Sequence, residues 1–304
     1  MKIIFFGNTT FGLPTLDKLN DSNHEILSIV TNKDIHRTKN KLIQTPIKQW
    51  SGNNNINLIQ QDDLNCSDFI KKLKTFNADL FVVIAYKILP KAIFTLPEYG
   101  TMNLHASLLP KYRGAAPIQQ ALMNGDQVTG ITTFLIEPKV DTGAIIFQEK
   151  ISILPEDNFA TLSEKMAERG GELVLRSIDA LNGDFQPTPQ NNAVATTAPK
   201  ISKEMYIIDW CKDAKSIHNK VRGLSGTFTT LNQKRLKVFK TAVLRHNNLR
   251  DPGQIILIDK NRLAIACGEG ALELIEIQME GNKMMLVSEW MKGAQLSDNI
   301  SFGA

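Results

Sequence analysis

Short apolar runs alternate with amphipathic stretches through the first half of the chain, and this alternation limits the folds open to it. Residues 2–6, 25–30 and 80–85 are short and apolar, as buried strands are. Residues 11–19 and 67–76 lie between these runs and repeat apolar side chains at helical spacing. Strands that alternate with helices favour βαβ units, so we predict an α/β domain with a mostly parallel sheet.

The same pattern continues and then stops in an uncharged segment. Further strands and a long helix are predicted over 130–136, 144–151 and 158–181. Residues 185–199 contain no charged side chain and include three prolines, which is typical of an extended linker. We therefore predict a first domain over residues 1–184 and a linker over 185–203.

After residue 203 the pattern changes to short strands separated by turn residues. Strands are predicted over 236–244, 254–258, 262–267, 271–277 and 283–287. The intervening turns are rich in Asp, Asn and Gly, which favour hairpins. We predict that residues 204–304 form a small β-barrel of the oligonucleotide-binding (OB) type.

The second domain is also the basic part of the chain. Residues 200–262 carry 14 basic and 5 acidic side chains, a net charge of +9, whereas the whole chain of 304 residues has +4. Such a concentration of charge is expected where a polyanion such as nucleic acid binds, and it is also compatible with an ordinary solvated surface.

Composition excludes several classes of protein. No apolar run approaches the roughly 18 residues of a membrane helix, and the apolar run after Lys2 is too short for a secretory signal, so we expect a cytoplasmic protein. Cys66, Cys211 and Cys267 are far apart, so we predict reduced thiols, with neither a disulfide framework nor a zinc knuckle.

Two segments contain side chains or backbone groups suited to a site. Residues 7–12 follow the first strand and open a helix, where backbone N–H groups can bind an anion, but they lack the Lys-Ser/Thr of a phosphate-binding loop and the GxGxxG spacing, which favours an ordinary strand-to-helix turn. Asn103 and His105 are two residues apart, so in a strand both project from one face. An amide and an imidazole there can donate to one oxygen. In an acyl or formyl transfer, donors aimed at the developing alkoxide contribute on the order of 100- to 1000-fold in rate.

Asp141 begins an Asp-Thr-Gly sequence between two predicted strands. A carboxylate there can orient an imidazole and relay a proton. Taken singly, these residues also fit a structural histidine and a turn. Together with Asn103 and His105 the aspartate also fits a metal site, although an asparagine carbonyl is a poor zinc ligand and no second histidine is near.

The sequence Asn-Leu-His-Ala-Ser-Leu-Leu-Pro at 103–110, followed by Arg-Gly-Ala-Ala-Pro-Ile-Gln at 113–119 and Asp-Thr-Gly at 141–143, resembles the folate-dependent formyltransferases. The first motif is shared by several enzymes that use 10-formyltetrahydrofolate. The second motif, together with Lys-Ile-Ser-Lys-Glu at 200–204, is similar to the branch that acts on methionyl-tRNA.

The resemblance implies a Rossmann-like formyltransferase domain followed by an OB-like tRNA-binding domain. It implies transfer of a formyl group from 10-formyltetrahydrofolate, without a metal, to the α-amino group of methionyl initiator tRNA, a step of translation initiation. It also implies a catalytic trio, in which Asn103 and His105 stabilise the oxyanion while Asp141 orients the site and assists proton removal.

The same resemblance implies binding residues. Contacts to the folate are predicted for Ser107, Leu108, Leu109, Pro110, Ile84 and Tyr86, since the two leucines offer apolar surface to a flat pteridine and the proline stiffens the loop. Contacts to tRNA are predicted for Arg37, Lys39, Lys41, Lys203, Lys234, Arg235 and Lys237. We expect a monomer that takes folate and tRNA and does not bind a membrane.

The chain departs from the family pattern at three places, one of which is the segment over residues 222–227, where the prolines expected in the C-terminal domain are missing. The loop over residues 32–41 has no glycine, but it keeps four basic side chains that can contact phosphates. Lys87 stands in a stretch that in the family usually contains glycine, which changes the rim of the folate pocket. Two other functions remain open: a formyltransferase for a nucleotide-linked amino sugar, and a non-catalytic RNA-binding protein, which would be expected to have lost one of the trio.

Overall fold

The computed structural model describes residues 1–38, 41–245, 250–259, 261–294, 296 and 301–303. The chain forms two compact units. Unit 1 contains residues 1–117, 128–152 and 162–198, and unit 2 contains residues 118–127, 153–161 and 199–304. The predicted domain boundaries themselves stay a prediction.

The first 198 residues contain the elements of the α/β domain. The strands are β1 (Lys2–Gly7), β2 (Glu25–Thr31), β3 (Ile35–Thr38), β4 (Lys41–Ile43), β5 (Leu58–Gln60), β6 (Leu80–Ile84), β7 (Thr101–His105), β8 (Arg113–Gly114), β9 (Val128–Leu135), β10 (Ile145–Ser152) and β11 (Thr197–Ala198). The helices are α1 (Leu13–Asn20), α2 (Pro46–Asn53), α3 (Ser67–Thr75), α4 (Lys91–Phe94) and α6 (Phe159–Leu181). Helix α5 (Pro117–Met123) also lies in this part of the chain, but all of it except Pro117 belongs to unit 2.

Seven of these strands form one sheet in the order β10-β9-β7-β6-β1-β2-β5. The five from β7 to β5 are parallel, and β9 and β10 are antiparallel to their neighbours. The predicted α/β fold with a mostly parallel sheet is therefore confirmed. Strands β1 and β6 are apolar at consecutive positions because a central parallel strand is buried on both faces.

The segment predicted to be a linker is largely integrated into unit 1. Residues 185–198 belong to that unit, and β11 pairs in parallel with β8, with Thr197 opposite Arg113. The uncharged residues 185–198 therefore form part of the first unit and do not simply connect two domains.

Unit 2 contains the antiparallel sheet. Its elements are α7 (Ala214–Leu224), β12 (Thr227–Leu231), β13 (Lys234–Leu244), β14 (Ile255–Ile258), β15 (Leu263–Ala266), β16 (Ala271–Met279), β17 (Met285–Leu286) and α8 (Val287–Trp290). The strand order is β12-β13-β16-β15-β14, with β17 also paired to β16. The predicted C-terminal domain of short antiparallel strands is confirmed, and β12 and α7 were not predicted.

Candidate active site

Strand β7 carries Asn103 and His105 into the site. It lies between β6, to which it is parallel, and β9, to which it is antiparallel. Because side chains alternate along a strand, Asn103 and His105 share one face, as predicted. Leu104, between them, is buried.

The two ring nitrogens of His105 have different surroundings. Nε2 lies 2.8 Å from the backbone oxygen of Tyr112. A carbonyl oxygen only accepts, so Nε2 carries a hydrogen and donates it, and in the neutral ring Nδ1 has a free lone pair. Nδ1 lies 3.8 Å from Oδ2 of Asp141.

Burial favours the neutral form of His105. Its side chain is only 7% exposed, and this burial lowers its pKa below the usual value, while the carboxylate of Asp141 and the bond to Tyr112 oppose the shift. A neutral imidazole with a free lone pair can accept a proton.

Asp141 lies in a constrained loop. Its φ is +53°, in the left-handed region that residues other than glycine rarely adopt. Its Oδ2 accepts a hydrogen bond of 2.8 Å from the backbone N–H of Gly114. One carboxylate oxygen is therefore held by backbone on the side of His105.

Asn103 is the third member of the predicted trio. Its Nδ2 donates to the backbone oxygen of Val83 at 3.0 Å, which orients the amide. The amide group has a second N–H, which is available for a substrate oxygen. The structure thus brings all three predicted residues to one place, but with Nε2 of His105 already engaged, only Nδ1 of that ring is available to a reactant.

A cavity of about 110 Å³ is lined by Asn103 and Asp141, whereas His105, which faces Asp141, is not part of its lining. Its lining combines apolar side chains and Tyr86 with the polar groups of four residues, and consists of Val83, Tyr86, Lys87, Ile88, Leu89, Asn103, Phe134, Ile136, Glu137, Pro138, Val140 and Asp141. This chemistry fits a flat ring with a polar edge. The cavity is smaller than the roughly 300–1,000 Å³ of complete ligand pockets, so it would enclose one end of such a ligand.

The predicted folate residues divide into two groups. Tyr86 lines the cavity, whereas Ile84 is fully buried in β6 and is not part of the lining. The remaining four predicted residues, Ser107, Leu108, Leu109 and Pro110, are not part of the lining either. Their assignment to folate binding stays a prediction.

The segment of Ser107 and Leu109 is held by neighbouring strands. The oxygen of Ser107 accepts a hydrogen bond from Oγ1 of Thr132, and the N–H of Leu109 donates back to that same hydroxyl at 3.1 Å. The oxygen of Leu109 accepts from the amide of Gln148. These contacts give the segment a structural role that its apolar composition alone did not predict.

Lys87 forms part of the cavity rim. Its Nζ donates to Oδ1 and to the backbone oxygen of Asp62, at 3.2 and 3.1 Å. The hydroxyl of Tyr86 lies 3.3 Å from the oxygen of Gln61, and burial together with Asp62 raises the pKa of this tyrosine to about 12. Two adjacent residues therefore tie the rim to the loop at 61–62.

The predicted tRNA contacts occupy exposed positions where the structure describes them. Lys203 is exposed before a short helical turn at 204–206, and Lys234, Arg235 and Lys237 are exposed on β13. The guanidinium of Arg235 lies 4.3 Å from the ring centre of Phe228 on the paired strand. Lys39 lies outside the described residues, as do the side chains of Arg37 and Lys41.

Two further residues contact the loop of Asp141 and were not predicted to do so. The amide of Gln190 donates to the backbone oxygens of Asp141 and Gly143, and Arg113 donates to Gln190. Arg113 belongs to a motif noted in the sequence. Gln190, in contrast, is 49 residues from Asp141 along the chain, and no local pattern indicates that the two are in contact.

Residues 1–178 match the family described as formyl transferase, and residues 200–295 match the formyl transferase C-terminal domain. The methionyl-tRNA formyltransferase of Thermodesulfovibrio yellowstonii is 42% identical over 98% of this chain and 97% of its own length. The chain belongs to the methionyl-tRNA formyltransferase family. The member from Caldanaerobacter subterraneus subsp. tengcongensis is 39% identical over 98% of both chains.

Solved structures share the fold of this formyltransferase at lower identity. HypX from Aquifex aeolicus in complex with tetrahydrofolic acid is 17% identical, with a TM-score of 0.67 over 99% of this chain and 50% of that one. The N-formyltransferase from Helicobacter canadensis in complex with folinic acid and dTDP-3-aminofucose is 19% identical, with a TM-score of 0.67 over 90% of this chain and 98% of that one. Because identity is so low, these likenesses show the fold alone.

The structure also bears on metals and membranes. Among the residues it describes, no group of three or more His, Cys, Asp and Glu side chains is arranged to hold a metal ion. In the same parts of the formyltransferase, no helix is both long enough and apolar enough to cross a bilayer.

Proposed function

We propose that this enzyme transfers the formyl group of 10-formyltetrahydrofolate to the α-amino group of methionyl initiator tRNA. The observation that carries the proposal is that Asn103 and Asp141 line a largely apolar cavity in unit 1 while His105 lies directly behind them, facing Asp141. Acyl-group transfer needs a donor for the developing oxyanion and a base for the amine, and these side chains can supply both.

The oxyanion would be stabilised by Asn103. As the neutral amine attacks the formyl carbon, the carbonyl oxygen gains negative charge. The Asn103 amide is already oriented by its bond to Val83, so its second N–H can meet that oxygen without reorganisation.

The proton would pass through His105. In the neutral ring Nδ1 is the free acceptor, so it takes the proton that the amine loses on forming the new C–N bond. Asp141 faces that nitrogen and stabilises the imidazolium formed. The proton then goes to the folate nitrogen as its bond to the formyl carbon breaks, which leaves tetrahydrofolate and the neutral ring. His105 is thus assigned to proton transfer, where the sequence alone suggested an oxyanion donor.

Apolar lining residues would hold the folate ring and exclude water. Ile88 and Val140 are 75% and 47% exposed at the cavity and become covered when a flat ring lies against them. Ser107, Leu108, Leu109, Pro110 and Ile84 would act from behind the lining, by holding the strand ends that form it.

The tRNA would be held through its phosphates. The lysines and arginine of β13 and Lys203 are exposed cations, and contacts of this kind position a nucleic acid without reading its bases. We assign Arg37, Lys39 and Lys41 to the same role. Because the acceptor is used in translation initiation, we place the enzyme in the cytoplasm. We also propose that it acts as a monomer.

The decisive experiment offers two acceptors to the purified protein with 10-formyltetrahydrofolate. One is methionyl initiator tRNA, and the other is a nucleotide-linked amino sugar. We expect formylmethionine on the tRNA and no formylated sugar. Formylation of the sugar alone would keep the chemistry of the trio and overturn the assignment of the acceptor.

A further inference from the structure

Gln190 is bound to the backbone on both sides of Thr142. Its Nε2 donates to the oxygen of Asp141 at 3.0 Å and to the oxygen of Gly143 at 2.8 Å. A side-chain amide has two N–H groups, so both are used on this one loop.

The orientation of that amide is determined by Arg113. Its Nε and Nη2 lie 3.1 and 2.6 Å from Oε1 of Gln190. Since a guanidinium only donates, Oε1 must face Arg113 and the amide nitrogen must face the loop. Nη2 of Arg113 also donates to Oδ1 of Asn192 at 2.7 Å, which holds the guanidinium in place.

The backbone beside Arg113 holds the other end of Asp141. The N–H of Gly114 donates to the Asp141 carboxylate, while the side chain of Arg113 acts through Gln190 on the Asp141 backbone. Arg113 is itself anchored, because its N–H donates to the oxygen of Thr196 at 2.9 Å. Asp141 is thereby fixed at its carboxylate by Gly114 and at its main chain by Gln190, which Arg113 orients.

The loop needs such support because of its conformation. Asp141 has a φ of +53°, in the left-handed region, which residues other than glycine adopt uncommonly although aspartate adopts it more often than most. Without the two bonds from Gln190, the loop is free to relax toward commoner backbone angles, and the carboxylate then moves relative to Nδ1 of His105.

We propose that Gln190 is a positioning residue that holds the Asp141 carboxylate opposite His105, so that the uncharged segment over residues 185–198 is part of the active-site framework. The inference rests on the proposed function, through the role given there to Asp141. It adds a residue that touches no reacting atom but sets the geometry of one that does.

The first test measures Gln190→Ala in steady-state formylation of methionyl initiator tRNA. A misplaced carboxylate should lower kcat about 10- to 100-fold while the KM of each substrate changes less than about threefold. Gln190→Glu keeps an acceptor for Arg113 but sets a carboxylate against two carbonyl oxygens, so it should lose at least as much. The matched control is Gln186→Ala, an exposed glutamine of the same segment, which should keep wild-type rates.

A double-mutant cycle separates positioning from general stability. If Gln190 acts through Asp141, Gln190→Ala should cost little further kcat when added to Asp141→Asn. Independent, multiplying losses in the double variant would overturn the inference, as would a wild-type kcat in Gln190→Ala. Failure of the wild-type enzyme to formylate the tRNA would instead overturn the proposed function.

Discussion

The Nδ1 atom of His105 lies 3.8 Å from Oδ2 of Asp141, and in the neutral ring both atoms are hydrogen-bond acceptors. Two acceptors that face each other form a favourable contact only when a proton or a water molecule lies between them. The pair is therefore arranged to stabilise a proton that arrives during the reaction, and the tautomer of His105 is set by its bond to Tyr112.

Replacement of His105 by alanine should lower kcat by about 100-fold or more, because the amine then loses its proton acceptor. The measurement is the rate of formylmethionine formation at saturating substrates. Binding of the tRNA, measured in the absence of folate, should stay within about twofold of wild type. An active His105→Ala enzyme would remove this ring from the mechanism.

Stability should fall as the pH is lowered through about 6.5. Burial lowers the pKa of His105 in the folded protein, whereas in the unfolded chain the ring titrates near its ordinary value of about 6.5. Below that pH the unfolded state binds a proton that the folded state does not, so the free energy of unfolding decreases. The stabilisation that comes from the neutral His105 ring is fully present above the pKa of the unfolded chain, and it is lost as the pH falls from there through the lower pKa of the folded protein.

The check is the free energy of unfolding in denaturant between pH 8 and pH 5. Burial also lowers the pKa of His24 and His218, so all three rings contribute with the same sign. His105→Gln should reduce the slope between pH 7 and pH 5. An equal slope in this variant would mean that His105 is protonated in the folded protein as readily as in the unfolded one.

Gly114 should not tolerate a side chain. Its φ is +123°, and an added Cβ would lie 2.6 Å from the backbone oxygen of Ala198. Gly114→Ala should cost about 1–3 kcal/mol of stability and also lower kcat, because the N–H of this residue holds Asp141.

The matched control for this prediction is Gly52→Ala. Gly52 lies exposed in α2, and nothing stands within 4 Å of an added Cβ. This change should stabilise the protein by up to about 1 kcal/mol and leave kcat unchanged. Thermal melting of both variants checks the pair, and equal melting temperatures for Gly114→Ala and wild type would refute the clash.

Local pattern predicted much of the fold and part of the site. The spacing of Asn103 and His105 predicts a shared face because alternation is a property of any strand. The long helix was predicted over 158–181 and is found at Phe159–Leu181, since a periodic apolar face of that length has few alternative folds.

Some elements were missed although a signal was present. Helix α7 places Ile217, Val221 and Leu224 at helical spacing, and its first turn is capped by Asp213, whose carboxylate accepts from the N–H of Ser216. Apolar periodicity and an N-cap together predict a helix, and both can be found in the sequence.

Other features have no local signal. The bond between His105 and Tyr112 depends on a turn in which Tyr112 has a φ of +59°, and the contact of Gln190 with Asp141 joins positions 49 residues apart. The backbone of Leu109, a residue that was expected to face the folate, is held by side chains from β9 and β10. Such contacts follow from tertiary packing, which a single sequence does not display.

The basic residues of β13 should contribute to tRNA affinity through phosphates. Replacing Lys234, Arg235 and Lys237 together by alanine should weaken tRNA binding and flatten its dependence on salt. Each lost phosphate contact lowers the slope of log affinity against log salt by about 0.7–0.9. The matched control replaces Lys71, Lys72 and Lys74, three exposed lysines of α3, which removes the same charge from a surface not assigned to tRNA.

Fluorescence titration of methionyl initiator tRNA at several salt concentrations checks this prediction. The β13 variant should show a smaller slope than wild type, and the α3 variant should keep the wild-type slope. If both variants reduce the slope equally, the effect comes from net charge and not from contacts. An unchanged slope in the β13 variant would place the path of the tRNA away from this strand, and the cation over Phe228 would then be only a structural contact.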